Sequence, residues 1–204
     1  MRKLFMAAVL IACASSFTFA QSTSSDEYNK YDVFVGFSHN RVDTGVGDSD
    51  PELSDIVNER EGFNGVNASV AGNISRYFGL KGDYSFHRKT FSETFGTTNV
   101  DVNADLHQLF GGVQIKDNAK ETKVRPFAHA MIGFANARFN VSGFTGASDL
   151  NDSETGLAGI IGAGIDFKVS PRVDIRAIQF DYNPTRLGGE TQHNFRIGVG
   201  VVFR

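Results

Sequence analysis

The chain has 204 residues, 41% hydrophobic, 12% aromatic and 21% charged, with a formal net charge of −3 at pH 7. That length favours one domain, the composition excludes a collagen or a disordered acidic tail, and a pI near 5.9 leaves no electrostatic footprint for nucleic acid. A mean hydropathy of −0.20 excludes a polytopic helical membrane protein but not a transmembrane β-barrel, which is apolar only on alternate residues.

Met1, Arg2 and Lys3 precede an apolar run from Leu4 to Cys13 and small residues up to Ala20. This is the layout of a secretory signal peptide cut after Ala20. Two alternatives stand beside it. A retained anchor would need a longer apolar run, and Leu10, Ile11, Ala12 and Cys13 resemble a lipobox whose Cys carries lipid. Export with cleavage removes two cations, no acid and the only Cys. The mature chain would then have no disulfide and no thiolate nucleophile. The expected organisation is a signal peptide over 1–20, a short periplasmic segment over 21–29 and one domain over 30–204.

Eight period-two segments follow. Tyr31, Val33, Val35 and Phe37 alternate with Asp32, Phe34, Gly36 and Ser38 in the first. Val66, Ala68 and Val70 alternate with Asn67, Ser69 and Ala71 in the second, and Leu80, Gly82, Tyr84 and Phe86 with Lys81, Asp83, Ser85 and His87 in the third. Further strands are expected at about 100–115, 124–139, 156–169 and 173–182. The last is the clearest: Phe195, Ile197, Val199, Val201 and Phe203 are interleaved with Asn194, Arg196, Gly198 and Gly200. Long polar connections at about 43–61, 89–99, 140–155 and 184–192 alternate with short joints at 75–78, 116–123 and 170–172. That sorting predicts an all-β, eight-stranded antiparallel up-and-down transmembrane barrel, with long loops outside and tight turns on the periplasmic side. Tyr31, Tyr77, Phe78 and Phe203 fall where a periplasmic aromatic girdle belongs.

Arg172 to Tyr182 with Thr185 and Arg186, followed by Gln192, Asn194, Phe195, Arg196 and a final Gly-Val-Val-Phe, resembles the closing hairpin of bacterial outer-membrane β-barrel proteins. Arg125, Pro126, Phe127, Ala128 and His129 resemble a fifth strand of the same family, nearest the eight-stranded transmembrane domain of outer-membrane protein A. The resemblance implies a non-enzymatic, monomeric barrel in the outer membrane of a Gram-negative bacterium. It implies lipid and lipopolysaccharide as neighbours, and assembly machinery that reads the C-terminal strand. The chain departs from the family by ending on Arg204 rather than an aromatic residue, and no peptidoglycan-binding domain is expected.

An eight-stranded lumen is just wide enough to be filled by side chains. The alternation predicts a charge network there made of Asp32, Lys81, Asp83, Asp105, His107, Arg125, His129, Asp166, Lys168, Asp174, Arg176 and Arg196. Both signs are present, and buried charges must be paired, so the expected function is a structural barrel with a largely closed lumen and surface loops. Gln179 and Asp181 are out of phase with Arg176, which predicts either a bulge or a polar group above the bilayer. A small non-specific pore is the alternative. A lipid A-modifying enzyme built on Asp83, Ser85, His87 and Glu93 is weaker, because residues two apart on a strand sit too far apart for a direct nucleophile–base bond. A Ser38–His39 pair is weaker again, since strand neighbours face opposite ways. A soluble lipocalin-like carrier would turn its apolar face inward. The carboxylates of 43–61 lack the spacing of a dedicated calcium loop, and the four Asn-x-Ser sites at Asn67, Asn73, Asn140 and Asn151 mean little in a bacterial envelope. No catalytic residue, cofactor or metal is expected.

Overall fold

The computed structural model describes residues 28–43, 60–95, 98–142, 150–187 and 189–204. The expected signal peptide and most of the long 43–61 connection lie outside them. Eight strands form: β1 Tyr31–Asp43, β2 Arg60–Asn73, β3 Phe78–Phe95, β4 Thr98–Lys116, β5 Val124–Ser142, β6 Leu150–Ser170, β7 Val173–Leu187 and β8 Glu190–Phe203. Each pairs antiparallel with its chain neighbour, and β8 closes on β1, giving an up-and-down barrel in strand order β1 to β8. The fold read from the alternation is thus borne out.

The physical reason is the sorting of side chains. On the outer face Val35, Val66, Leu80, Leu109, Ile132, Ile161, Phe180 and Ile197 are all exposed, Ile132 by 79%. Apolar side chains this bare would be costly in water, and together they form a belt around all eight strands that fits hydrocarbon. Inside, carboxylates, arginines, lysines and amides are buried. A tilted strand needs about 9–11 residues to cross a bilayer. Here β1 has 13 residues and β6 has 21, so the strands run on past the belt.

That extension revises the connections. Residues 89–99, 140–155 and 184–192 are polar, but most of them continue the ladder, and β3 and β4 are joined by residues 96–97 alone. Beyond the belt both faces meet water, so polar residues are compatible with strand pairing, which also satisfies their backbone groups. Between β7 and β8, Gly189 takes a left-handed φ of 84°, which suits a residue without Cβ. At the opposite end, residues 74–77, 117–123 and 171–172 make the short turns. Tyr31, Tyr77, Phe78 and Phe203 ring that end, all exposed. A second ring, not anticipated from the sequence, lies on the other side of the belt. There Tyr182 packs on Phe195 at 5.6 Å, and Tyr84 meets His107 Nδ1 at 2.9 Å through its hydroxyl.

The β4–β5 turn is closed by Asp117. Its Oδ1 accepts from Arg76 Nε at 2.9 Å and from the Ala119 backbone N–H at 3.2 Å, while Thr122 donates its hydroxyl to Oδ2 at 3.0 Å. The Arg76 hydrogen bond, then the Ala119 and Thr122 donors, outweigh partial burial and hold this carboxyl well below the usual carboxylate range. A carboxyl depressed on folding stabilises the fold above its unfolded pKa, about 3.9, and the contribution disappears as pH falls through the folded value. Asp117→Asn should therefore be less stable than the parent at neutral pH, with the gap closing in strong acid. Unfolding midpoints against pH check this; a gap that stays constant with pH would contradict it.

The charged lumen as candidate functional site

Ten of the twelve residues assigned to the lumen network are buried: Asp32, Lys81, Asp83, Asp105, Arg125, His129, Asp166, Asp174, Arg176 and Arg196. Nine of these face the interior. Asp105 does not. On β4 Ala104, Leu106, Gln108, Phe110, Gln114 and Lys116 are buried in the inward phase, whereas Leu109 and Ile115 are exposed on its outer face. Asp105 and His107 share the outer phase, which corrects their assignment. Asp105 pairs on the outer surface with Arg88, Nε to Oδ1 at 2.6 Å, and is covered by its neighbours rather than by the lumen. Lys168 sits at the periplasmic rim, half-buried, donating to the Lys120 carbonyl at 2.5 Å, and belongs to the turn rather than the lumen.

The network is layered. At the periplasmic end Arg125 Nη1 holds Asp174 at 2.6 and 2.7 Å, and Arg204 Nε reaches the same carboxylate at 2.7 Å. Lys116 Nζ bridges Asp166 at 2.5 Å and Asp32 at 3.0 Å. Arg176 Nε donates to Asp166 at 2.8 Å and its Nη1 to Gln179 at 2.7 Å. The Arg176 guanidinium also lies between two phenyl rings, 4.2 Å from the Phe34 centroid and 4.1 Å from that of Phe127. A cation sandwiched in this way is both desolvated and compensated by the ring faces. The stack crosses the lumen.

Above it, Arg196 joins two carboxylates, Asp83 at 3.0 Å and Asp181 at 2.8 Å. Asp181 lies 2.9 Å from His129 Nε2, and Lys81 Nζ lies 3.2 Å from His129 Nδ1. An ammonium can only donate, so Nδ1 is the acceptor and the ring proton sits on Nε2, facing Asp181. Higher still the charges give way to amides and hydroxyls: Ser38 with His87 at 2.8 Å and Ser85 with Gln108 at 3.2 Å.

Two of these partners, Lys116 and Arg204, were not picked out in the sequence, and two more, Gln179 and Asp181, were left between two placements. Lys116 and Arg204 lie at strand ends, where charge reads as turn. Asp181 and Gln179 reach the lumen because β7 changes register between Arg176 and Gln179. The bulge turns both Ala177 and Ile178 outward, which decides the alternative left open by the sequence. Among the described residues the lumen holds the carboxylates of Asp32, Asp83, Asp166, Asp174 and Asp181 against the cations of Lys81, Lys116, Arg125, Arg176, Arg196 and Arg204. The interior is therefore close to charge balance.

The trio weighed for lipid chemistry does not assemble. Asp83 turns to Arg196 and Asn67, Ser85 to Gln108 and His87 to Ser38; the Glu93 side chain lies outside the described residues. Ser38 faces in while His39 faces out to Asn64 at 2.8 Å. The Ser38–His87 pair has a nucleophile–base distance, yet both residues are wholly buried and His87 Nδ1 has no partner to orient it.

The Outer membrane protein beta-barrel domain model matches residues 5–203. No curated protein matches the sequence. Among solved structures, the chain is similar to Ail, the attachment invasion locus protein of Yersinia pestis, crystallised with the heparin analogue sucrose octasulfate. The identity is 18%, the TM-score 0.58, and 85% of this chain and 97% of that one are covered. Neisserial surface protein A matches at 14% identity and a TM-score of 0.56, over 86% and 97% of the two chains. The outer membrane protein OprG of Pseudomonas aeruginosa matches at 11% and 0.52, over 87% and 96%. At these identities the likeness is one of fold, an outer-membrane barrel in contact with lipid. The family match over nearly the whole length says the same as the lipid-facing belt and the charged interior: this chain belongs to the bacterial outer membrane β-barrel proteins.

Proposed function

We propose that the protein is a non-enzymatic structural element of the outer membrane, a monomeric barrel whose lumen is closed and stiffened by its own side chains. The observation that carries this reading is the Phe34–Arg176–Phe127 stack, locked to Asp166, Lys116 and Asp32 beneath it and backed by the Arg196 cluster above. Paired charges of this kind fix one arrangement of the strands and leave no continuous wet path. In the cell the chain would be exported by its N-terminal signal and folded through its C-terminal strand. It would sit with the polar strand extensions outside, among lipopolysaccharide.

Planar-bilayer recordings test the closure. The intact protein is expected to show no stable conductance. The triple variant Phe34→Ala, Phe127→Ala, Arg176→Ala, which removes the stack but leaves Asp166 paired with Lys116, is expected to conduct. A steady conductance from the intact protein would make it the small pore instead.

A further inference from the structure

The periplasmic end gathers cations that the lumen network does not use. Lys120 and Lys123 stand exposed on the β4–β5 turn, and Arg172 stands exposed on the β6–β7 turn. Between the two turns lies Lys168, half-buried near the end of β6. Its backbone N–H donates to the Lys123 carbonyl at 2.8 Å and its Nζ to the Lys120 carbonyl at 2.5 Å. Main-chain carbonyls orient this ammonium without neutralising it. Among the described residues none of the four cations is paired with a carboxylate, neither with Asp117, which closes on Arg76, nor with Glu121, exposed on the same turn. Like charges gathered in this way repel one another and raise the local potential, which draws an anion to them.

Position decides which anion. Val124, Phe167 and Ile175 form one row across β5, β6 and β7 beside the cluster. All three are exposed on the outer face, as is Val169 next to Lys168. The exposed ring of Tyr31, Tyr77, Phe78 and Phe203 marks this end as the border between hydrocarbon and headgroups. Long basic side chains at that border carry their charge to the depth of lipid phosphate. The patch is therefore apolar toward the membrane and cationic toward the periplasm, which matches an acyl chain below an anionic headgroup.

We propose that Lys120, Lys123, Lys168 and Arg172 bind the headgroup of an anionic phospholipid in the periplasmic leaflet, with its chains against Val124, Phe167 and Ile175. The site rests on the placement of the barrel in the outer membrane and is independent of whether the lumen is closed.

The chain contains no Trp, so Phe167→Trp places a single fluorophore beside the patch. Phe37→Trp places one on the lipid face of β1, across the barrel from it. Each variant is reconstituted in phosphatidylcholine vesicles, where brominated phosphatidylglycerol or brominated phosphatidylcholine quenches the Trp that it touches. At low salt phosphatidylglycerol is expected to compete at least about fivefold better at Phe167→Trp, as a single basic group at an anionic surface gives, and equally at Phe37→Trp. Sodium chloride at about 0.5 M should reduce the preference. Lys120→Gln, Lys123→Gln, Lys168→Gln and Arg172→Gln together, in the Phe167→Trp chain, should abolish it, with heat-modifiable migration on a gel showing that the barrel still folds. If this variant does not fold, Lys120→Gln with Lys123→Gln, both at exposed positions, should at least halve the preference. Equal quenching by the two lipids at Phe167→Trp, an unchanged preference in the folded neutral variant, or the same preference at Phe37→Trp overturns the site. Inorganic phosphate that removes the preference where sodium chloride of equal ionic strength does not would assign the cluster to soluble phosphate and overturn the lipid.

Discussion

Arg196→Ala is expected to be among the most destabilising single substitutions in this barrel. The guanidinium is buried and answers two buried carboxylates, Asp83 on β3 and Asp181 on β7. Removing it does not merely delete two contacts. It leaves two buried acids without their shared guanidinium, and breaking a buried pair in this way costs about 3–5 kcal/mol. The remaining partners do not replace the guanidinium: Asn67 already donates to Asp83 at 2.9 Å, Gln179 and His129 already meet Asp181 at 2.6 and 2.9 Å, and Lys81 stands 3.9 Å from Asp83. The unfolding midpoint of the protein in lipid vesicles should fall accordingly. The triple variant Arg196→Met, Asp83→Asn, Asp181→Asn removes the charges together and should recover most of the loss, because the penalty belongs to unpaired charge and not to missing volume. If Arg196→Ala unfolds at the parent's midpoint, the cluster is solvated and the lumen is not closed.

The same layering explains what the sequence could and could not disclose. Within the lipid belt a strand has one apolar and one polar surrounding, so alternation is strong and its phase is readable. Asp32, Lys81, Asp83, His129 and Arg196 all carry their inward facing in the pattern. Past the belt both surroundings are polar and the pattern fades. Asp105 and His107 lie just there, and their phase had to be counted upward from Leu109 and Ile115, which face lipid. That count gives the outer face. Lys168 and Lys116 pose the same problem at the periplasmic rim. Extension of β3 and β4 into the polar 89–99 segment was hidden for the same reason, since a ladder in water on both sides carries no hydrophobic signature.

Contacts between strands are a different matter. Ser38 and His87 are 49 residues apart, as are Arg125 and Asp174. Which inward residue meets which depends on register, and register is a property of pairs of strands. The β7 bulge was half legible, because Gln179 and Asp181 were polar in the wrong phase. Only the register shift showed that both reach the interior.

Register also explains two interior glycines and supports the second large effect. Ser38, Gly65 and His87 occupy one row across β1, β2 and β3, and His129, Gly162 and Asp181 occupy one row across β5, β6 and β7. In each row a histidine reaches past the middle strand to a polar partner, through the space a side chain would fill. A Cβ on Gly65 would meet the Phe86 carbonyl and stand 2.8 Å from the His87 ring. A Cβ on Gly162 would collide with Asp181 Oδ1 and stand 2.8 Å from His129 Nε2. Strand propensity alone favours Val over Gly at both sites, so propensity and packing predict opposite signs. Packing should win: overpacking costs about 1–3 kcal/mol, and displacing His129 from Asp181 adds the penalty of an exposed buried charge. Gly65→Val, which meets the Phe86 backbone, and Gly162→Val, which displaces a buried charge from its partner, should therefore both destabilise. Gly111→Val, on the lipid face with nothing within 4 Å of its Cβ, should be tolerated. Melting of the heat-modifiable band gives the order directly, and equal losses at all three glycines would mean that strand preference, not the rows across the lumen, sets the requirement.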